Sequence, residues 1–435
     1  MIRAFRMLAA ALIAMAGGAV FAAPASAAPL PVVETFTYTQ NMHPMGFSER
    51  TGTINSDLAF WGKLAAQGNY VGFRLIDITE PDNPVQLLDY QGCTGNQGDV
   101  LLWENILIRS WNSPASATAM CGGQPVPLGF EGLHIFDISD RTAPRLLTAV
   151  QMNATSTPVG CGSHTATMVP DVANGAVYVY NSASSASCPG IDIVKVPLAN
   201  PAAATFLHRV ATGRSCHDTG VILGSAMLAA CAGGNGFTVL SLGGAGGGTI
   251  ENPVVLYSKV VAGVTIGHSA AFTWDGKVLI FGHEPGGGTQ ARCQATSSIT
   301  DRTLFFYEAR TGVELGTFVH PRPQTATENC TWHNYNVVPL RDRYVLVAGN
   351  YQSGISVLDF TEPANATEIA YADPAPLSTT TLITGGDWST YWYNGLIYES
   401  DITRGVIIWN LSDRAVAGAR KLDHLNPQTS EFTLD

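Results

Sequence analysis

Short stretches in which apolar and polar residues alternate follow one another along most of the chain. Four of them share one pattern, in which a glycine precedes an alternating apolar run that ends in Asp or Asn and leads into a turn. They begin at Gly72, Gly132, Gly354 and Gly405, and looser copies begin at Gly190 and Gly236. Alternation with β-branched residues is typical of strands, and the Ser, Thr and Pro cluster that follows is typical of turns. The pattern therefore predicts strands throughout the chain.

Each of these strands belongs to a larger repeated unit. Another short apolar strand precedes it, a more variable strand follows it, and a strand with a polar start comes first, so that four antiparallel strands recur about every 40 to 70 residues. The first strands begin near Asn55, Asn96, His164, His217, His268, His333 and Trp388. This count predicts an all-β protein, a β-propeller of seven four-stranded blades around a central channel, with six or eight blades as the alternatives.

The ends of the chain bear on how such a ring closes. A ring of blades leaves an unpaired strand edge unless one terminal segment completes the last blade. The segment from Val32 and the segment from Lys421 both have the composition of a strand. The sequence predicts that one of them completes the last blade and does not choose between them.

Residues 1–27 have the layout of a secretory signal peptide, with two arginines, an apolar stretch and then small residues. The apolar stretch is shorter than the roughly 20 residues that a membrane-spanning helix needs, and no later segment is longer. The sequence therefore predicts a signal peptide over 1–27, a single propeller domain over 28–435, no membrane span and a secreted, extracellular protein.

All eight cysteines lie in the predicted propeller domain, which suits an exported protein held together by disulfides. Four precede innermost strands, and the other four lie after second strands or in the loops to third strands, on the same face of a propeller. The predicted pairs are Cys93 with Cys121, Cys161 with Cys188, Cys216 with Cys231, and Cys293 with Cys330.

Net charge narrows the choice of partners. The chain has 23 basic and 34 acidic residues and a formal net charge of −11, with no cluster of Lys and Arg. Because binding to a phosphate backbone depends on such clusters, nucleic acid is not an expected partner. Motifs for nucleotide binding or for a nucleophilic serine are also missing from the sequence in their required strand-to-helix setting.

The repeated strand GLHIFDIS resembles the LVIVD repeat family, which comprises secreted bacterial and archaeal β-propellers. The resemblance covers nearly all of 28–435, and the most individual segments are GCGSHT, SCHDTG, TENCTWHN and YWYNGLIYESDITRG. The chain departs from the consensus in blades three to five, where the Asp before the turn is lost. The resemblance implies a secreted or cell-surface propeller and implies no reaction.

Four histidines occupy equivalent places at the starts of consecutive innermost strands, namely His164, His217, His268 and His333. Because innermost strands line the channel, we expect the four imidazoles to converge near one mouth. Imidazole is a ligand for Zn, Fe and Cu, so one interpretation is a site for one transition metal ion. Structural histidines that hold water in a polar channel, and a role in small-molecule binding or pH sensing, are the alternatives. Glu284 and Glu328 lie on loops that should reach the same mouth as outer partners. Asp218 is expected to point away from His217, because strand side chains alternate.

Two functions remain open from the sequence. The first is a binding or interaction module at the cell surface, whose partner is an extracellular protein, a glycan or a small molecule. The second is a metalloenzyme centred on the four histidines. Trp388 and the run 391–393 add aromatic residues that suit either a ligand platform or packing between blades.

Overall fold

The structure is a computed structural model that describes residues 30–152 and 162–434. Seven four-stranded antiparallel blades confirm the predicted propeller. From the innermost strand outward, the blades are Asn55–Trp61, Leu64–Asn69, Gly72–Asp77 and Val85–Tyr90 (blade 1); Val100–Trp103, Ile106–Trp111, Gly132–Asp137 and Arg145–Gln151 (blade 2); Thr165–Asp171, Ala176–Ser182, Ile191–Pro197 and Thr205–Val210 (blade 3); and Thr219–Ile222, Leu228–Gly233, Gly236–Ser241 and Val254–Val260 (blade 4).

Blades 5 to 7 follow the same plan. Their strands are Gly267–Phe272, Val278–His283, Thr303–Glu308 and Glu314–Val319 (blade 5); Asn334–Val337, Val345–Gly349, Ile355–Asp359 and Thr367–Asp373 (blade 6); and Asp387–Tyr393, Leu396–Asp401, Gly405–Leu411 and Met42–Glu49 (blade 7). Short 3-10 helices lie at Pro31–Val33, Val172–Asn174, Pro201–Ala203, Gly244–Gly246, Thr300–Arg302, Pro363–Asn365 and Arg414–Val416. Among the described residues, no helix has the length and apolar character to cross a membrane.

The repeated sequence pattern forms the third strand of a blade and the turn after it. The strand Gly72–Asp77 is almost wholly buried because neighbouring blades cover both of its faces. The aspartate at the strand end accepts a hydrogen bond from the backbone two residues later: Asp77 Oδ1 from Thr79 N at 2.8 Å, and Asp137 Oδ1 from Ser139 N at 2.9 Å. This side-chain bond stabilises the tight turn, which explains why the pattern ends in Asp and then Ser or Thr.

The N-terminal segment closes the ring. Its strand Met42–Glu49 pairs antiparallel with Gly405–Leu411 and becomes the outermost strand of blade 7. Just before it, Thr37–Tyr38 pairs with the outermost strand of blade 6. The first and last parts of the domain are therefore joined in one sheet, and the edge that an open ring would expose is covered.

The C-terminal segment lies across the mouth of the channel at the ends of the innermost strands. His424–Leu425 pairs antiparallel with the innermost strand of blade 1, and Thr429–Ser430 pairs parallel with that of blade 4. Asn426 lies between these two contacts and is 1% exposed. Its amide accepts from Leu102 N at 2.7 Å and donates to Leu102 O at 2.8 Å. The tail thus spans this mouth instead of completing a blade.

Replacing Asn426 with alanine is expected to lower the free energy of unfolding by about 3 kcal/mol, because it leaves the buried N–H and C=O of Leu102 without partners. Urea unfolding of the variant and the parent measures this difference. Asn365→Ala is the matched control, since Asn365 is exposed at the end of a 3-10 helix. Equal stability of the Asn426 variant and the control would show that the tail does not hold the blades.

Candidate functional site

The four histidines of the repeat come together at the other mouth of the channel. Each stands at or just before the start of an innermost strand, in blades 3, 4, 5 and 6. The imidazole centroids of His164 and His217 lie 4.4 Å apart, those of His217 and His268 3.9 Å, and those of His268 and His333 4.4 Å. The rings therefore form one continuous arc, as their equivalent places in the sequence indicate.

The ring nitrogens of the arc divide into an inner and an outer set. Nδ1 of His333 donates to the backbone carbonyl of Trp388, and Nδ1 of His217 lies 3.1 Å from Asp218 Oδ1. Nδ1 of His268 contacts the hydroxyl of Ser269, which itself donates to the carbonyl of His333. A carbonyl can only accept, so the proton of His333 is on Nδ1 and its Nε2 has a free lone pair. Outer partners of this kind orient imidazoles that bind metals.

The inner nitrogens face one another. Nε2 of His164 lies 2.9 Å from Nε2 of His217. A proton on one of these two Nε2 atoms completes the contact as a hydrogen bond. A metal ion can replace that proton, because two nitrogens that bind one ion at about 2.1 Å and at a right angle stand about 3.0 Å apart.

Asp218 lies inside the site, and the expectation that it points away from His217 is wrong. Its Oδ1 contacts Nδ1 of His217, and its Oδ2 lies 3.8 Å from Nδ1 of His268 in the next blade. The strand of blade 4 begins only at Thr219, so strict alternation does not hold at this position. Near the axis the blades also converge, and a side chain on either face of a blade reaches a neighbouring histidine. Asp218 therefore connects two imidazoles.

The two glutamates proposed as outer partners have different surroundings. Glu284 Oε2 lies 3.8 Å from Nε2 of His268, and its Oε1 lies 3.9 Å from Nε2 of His333. Tyr351 donates to Glu284 Oε1 at 2.7 Å and fixes the carboxyl over the arc. Glu328 instead accepts from the backbone and hydroxyl of Thr325 at 2.8 and 2.7 Å, within its own loop. The structure thus brings Glu284 to the histidines and leaves Glu328 in a turn.

Burial determines the charge of these groups. It lowers the pKa of His217 and His333 to about 3 and holds that of His164 and His268 well below the usual range. Burial also raises the pKa of Asp218 to about 7 and that of Glu284 to about 8. All four imidazoles are therefore neutral at physiological pH, which is the form that binds metal ions.

A cavity of about 540 Å³ lies beside the arc, and one of its walls is aromatic and apolar. Trp388, Tyr70 and Ile402 form that wall, and the rings of Trp388 and Tyr70 meet edge to face with centroids 6.4 Å apart. Gln428 of the C-terminal tail lines the cavity from below. By contrast, Tyr391, Trp392 and Tyr393 are buried in and around blade 7, so this run packs between blades as one of the two expectations for it states.

Residues that follow the histidines form a second polar layer around the channel. Thr165, Asp218, Ser269 and Asn334 belong to it, and Asp57 and Asp99 are the corresponding acidic residues of blades 1 and 2. Tyr391 donates to Asp57 Oδ1 at 2.7 Å. Burial raises the pKa of Asp57 to about 6 and holds that of Asp99 well above its usual range, and the charge of Asp57 adds to the effect on Asp99. Sequence reasoning missed this layer, although a polar residue one place after each histidine was a visible signal.

Disulfides hold the loops on the face that carries the histidines. The pairs Cys93–Cys121, Cys216–Cys231 and Cys293–Cys330 are confirmed. The fourth predicted pair includes Cys161, which lies outside the described residues. Because Cys216 directly precedes His217, its disulfide fixes the backbone from which this imidazole extends.

The double substitution Cys216→Ala and Cys231→Ala is expected to lower the free energy of unfolding by about 3 kcal/mol, because the bridge closes a loop whose ends are 15 residues apart. Guanidinium unfolding of the oxidised parent and of the variant measures the difference. Cys93→Ala with Cys121→Ala is the comparison that removes a bridge far from His217. A loss below about 1 kcal/mol would contradict the structural role given to the bridge.

No known family profile matches the chain, and no curated protein matches it. Solved structures do match. A chain of a mitotic checkpoint complex covers 94% of this chain and 99% of its own length, with 12% identity and a TM-score of 0.50. A protein from Lactobacillus plantarum covers 86% of this chain and 97% of its own length, with 13% identity and a TM-score of 0.51. Likeness at this level of identity shows the propeller fold alone.

Proposed function

We propose that this chain is a secreted propeller of the LVIVD repeat type that binds one transition metal ion at the mouth of its channel, through His164, His217, His268 and His333. A propeller with three disulfides among its described residues fits a binding or interaction module, and disulfides suit an oxidising extracellular setting. The signal peptide that would export it falls on residues 1–27, which lie outside the described residues.

The observation that carries the proposal is the orientation of the imidazoles. Three of the four have Nδ1 in contact with a partner, namely Asp218, Ser269 or the Trp388 carbonyl. Their Nε2 atoms face another imidazole or the carboxyl of Glu284. A wall of structural histidines would require no common direction for these nitrogens. Nitrogens of His217 and His268 and an oxygen of Glu284 all lie within 4.8 Å of one another, and outer partners on Nδ1 orient the two rings, which is the arrangement that metal ligation needs.

The donor set also limits which ion fits. Neutral imidazoles suit zinc, iron and copper, whereas magnesium and calcium prefer oxygen ligands. The 2.9 Å between Nε2 of His164 and Nε2 of His217 is the length of a hydrogen bond, so the site admits all three of these ions.

Glu284 and the cavity give the site an accessible side. The carboxyl of Glu284 lies within 4 Å of two of the histidines and is held by Tyr351, while the cavity extends away from the arc. An ion on the histidines would therefore face a space large enough for a small molecule. We propose metal-dependent binding of a small extracellular ligand as the function of this mouth.

Elemental analysis of the secreted protein, purified without a histidine tag, tests the proposal. After chelator treatment, reloading with iron, copper or zinc should restore about one equivalent of metal per chain at saturation, as in other sites with three or four imidazole ligands. Less than about a tenth of an equivalent of every metal, with the protein folded by circular dichroism, would refute it.

A further inference from the structure

We infer that the cavity beside the four histidines binds a neutral aromatic compound that carries hydroxyl groups, with its ring against Trp388 and a hydroxyl directed to the histidines. This inference rests on the proposed metal site, because the ion supplies the contact for the hydroxyl oxygen. Two features of the cavity lead to it, namely the aromatic wall and the charge of the lining. A third feature, the separate roles of the backbone and the side chain of Trp388, allows it to be tested.

The aromatic wall beside His333 favours a flat ring. Trp388 is 9% exposed, and its indole meets the imidazole of His333 edge to face with centroids 5.1 Å apart. Tyr351 lies on the other side of His333, with centroids 4.3 Å apart. Tyr70 and Ile402 extend the surface, so that a ring entering the cavity would contact aromatic and aliphatic groups. Aromatic pairs in such arrangements gain energy beyond the area that they bury.

The charge of the lining favours a neutral ligand that donates hydrogen bonds. Asp99, Asp218 and Glu284 line the cavity, and among the described residues that line it there is no Lys or Arg. An anionic ligand would find opposite charge only on the proposed ion, which the carboxyl of Glu284 already faces, and no cationic side chain would offset the cost of burying it. Hydroxyl groups instead can donate to carboxyl oxygens and can bind a metal ion through their own oxygen.

The backbone and the side chain of Trp388 have separate roles, and this allows a clean test. The carbonyl of Trp388 accepts the hydrogen bond from His333 Nδ1, whereas the indole lines the cavity. Substituting the side chain therefore removes the wall and keeps the hydrogen bond that orients the histidine. The cavity volume of about 540 Å³ lies within the range of sites for small molecules and is ample for one or two rings.

Catechol is the probe, and the same metal-loaded preparations are used for elemental analysis and for calorimetric titration. Trp388→Ala should retain its metal and bind catechol about ten-fold more weakly than the parent, as expected from the loss of one aromatic contact surface. Trp61→Ala is the matched control, because Trp61 stacks on His424 at the opposite mouth. Benzoate, an anion of similar size, should bind the parent more weakly than catechol does. Tyr70→Leu removes part of the same wall and serves if the Trp388 variant does not fold.

The outcomes separate this inference from the proposal on which it rests. The inference is supported if all variants retain the metal, the two wall variants bind catechol more weakly, and Trp61→Ala binds it like the parent. Three outcomes with the metal retained would overturn the inference and leave the metal site standing. They are no binding of catechol to the parent, equal catechol affinity in the parent and the wall variants, and tighter binding of benzoate than of catechol. A parent that takes up no metal overturns both.

Discussion

Replacing His217 and His268 together with glutamine is expected to reduce the metal content of the reloaded protein from about one equivalent to less than about a tenth. These two rings are the middle of the arc, with centroids 3.9 Å apart, and Asp218 contacts both. Their loss leaves His164 and His333 at opposite ends without a shared position for an ion. Glutamine keeps a polar side chain of similar length, so the change removes the imidazole ligands with little change in volume.

The matched control replaces His43 and His208 with glutamine, and these two histidines lie on outer strands away from the channel. This variant should keep its metal and its melting temperature. The parent should also melt higher with metal than without, since a ligand that binds only the folded state stabilises it, and the His217 and His268 variant should lose this difference. Full metal content in that variant would contradict the assignment of the site.

Deleting the N-terminal residues through Glu49 is expected to remove most of the stability of the domain, which for a protein of this kind is about 5–15 kcal/mol. The deletion removes the outermost strand of blade 7 and exposes the edge of Gly405–Leu411. It also removes Ser48, whose carbonyl accepts from the buried guanidinium of Arg74 at 3.3 Å. A guanidinium that has lost both acceptors on Ser48 and an open strand edge should leave the chain prone to aggregation.

A chain that begins at Leu30, exported behind an unrelated signal sequence, is the control and should unfold like the parent. Urea unfolding and limited proteolysis measure both chains, and a peptide of residues 41–50 added in trans should partly restore protection to the truncated one. Cooperative unfolding of the truncated chain at the same urea concentration as the control would show that blade 7 does not need this strand.

The fold was largely predictable because the blades repeat one local sequence pattern, an alternating strand followed by a tight turn. The alternation, the terminal Asp and the Ser or Thr turn each have a local cause, which is visible in the bond from Asp77 to the backbone of Thr79. Ring closure was not predictable, because Met42–Glu49 and the tail beyond Lys421 have similar strand composition and only their long-range partners differ. Local pattern cannot distinguish partners more than 300 residues apart in sequence.

The candidate site also contains residues that the sequence predicted and residues that it did not. The four histidines were found because they share one position in the repeat, and repeat symmetry carries them to one mouth. Tyr351 was not assigned to the cavity, because it lies on a blade 6 turn. For Trp388 the sequence left a ligand platform and packing between blades open, because its blade has no histidine at that place. Asp218 was misplaced because alternation applies inside a strand and this residue precedes one. Convergence of blades at the axis is a tertiary effect that periodicity does not encode.

X-ray absorption spectroscopy of the reloaded protein tests directly whether the histidines bind the ion, because it counts the nitrogen ligands of the ion. We predict an imidazole multiple-scattering pattern with three or four nitrogen donors at about 2.0–2.1 Å, and a loss of that pattern when His217 and His268 are replaced. A first shell of oxygen atoms without imidazole scattering, or a spectrum that the substitutions leave unchanged, would contradict it.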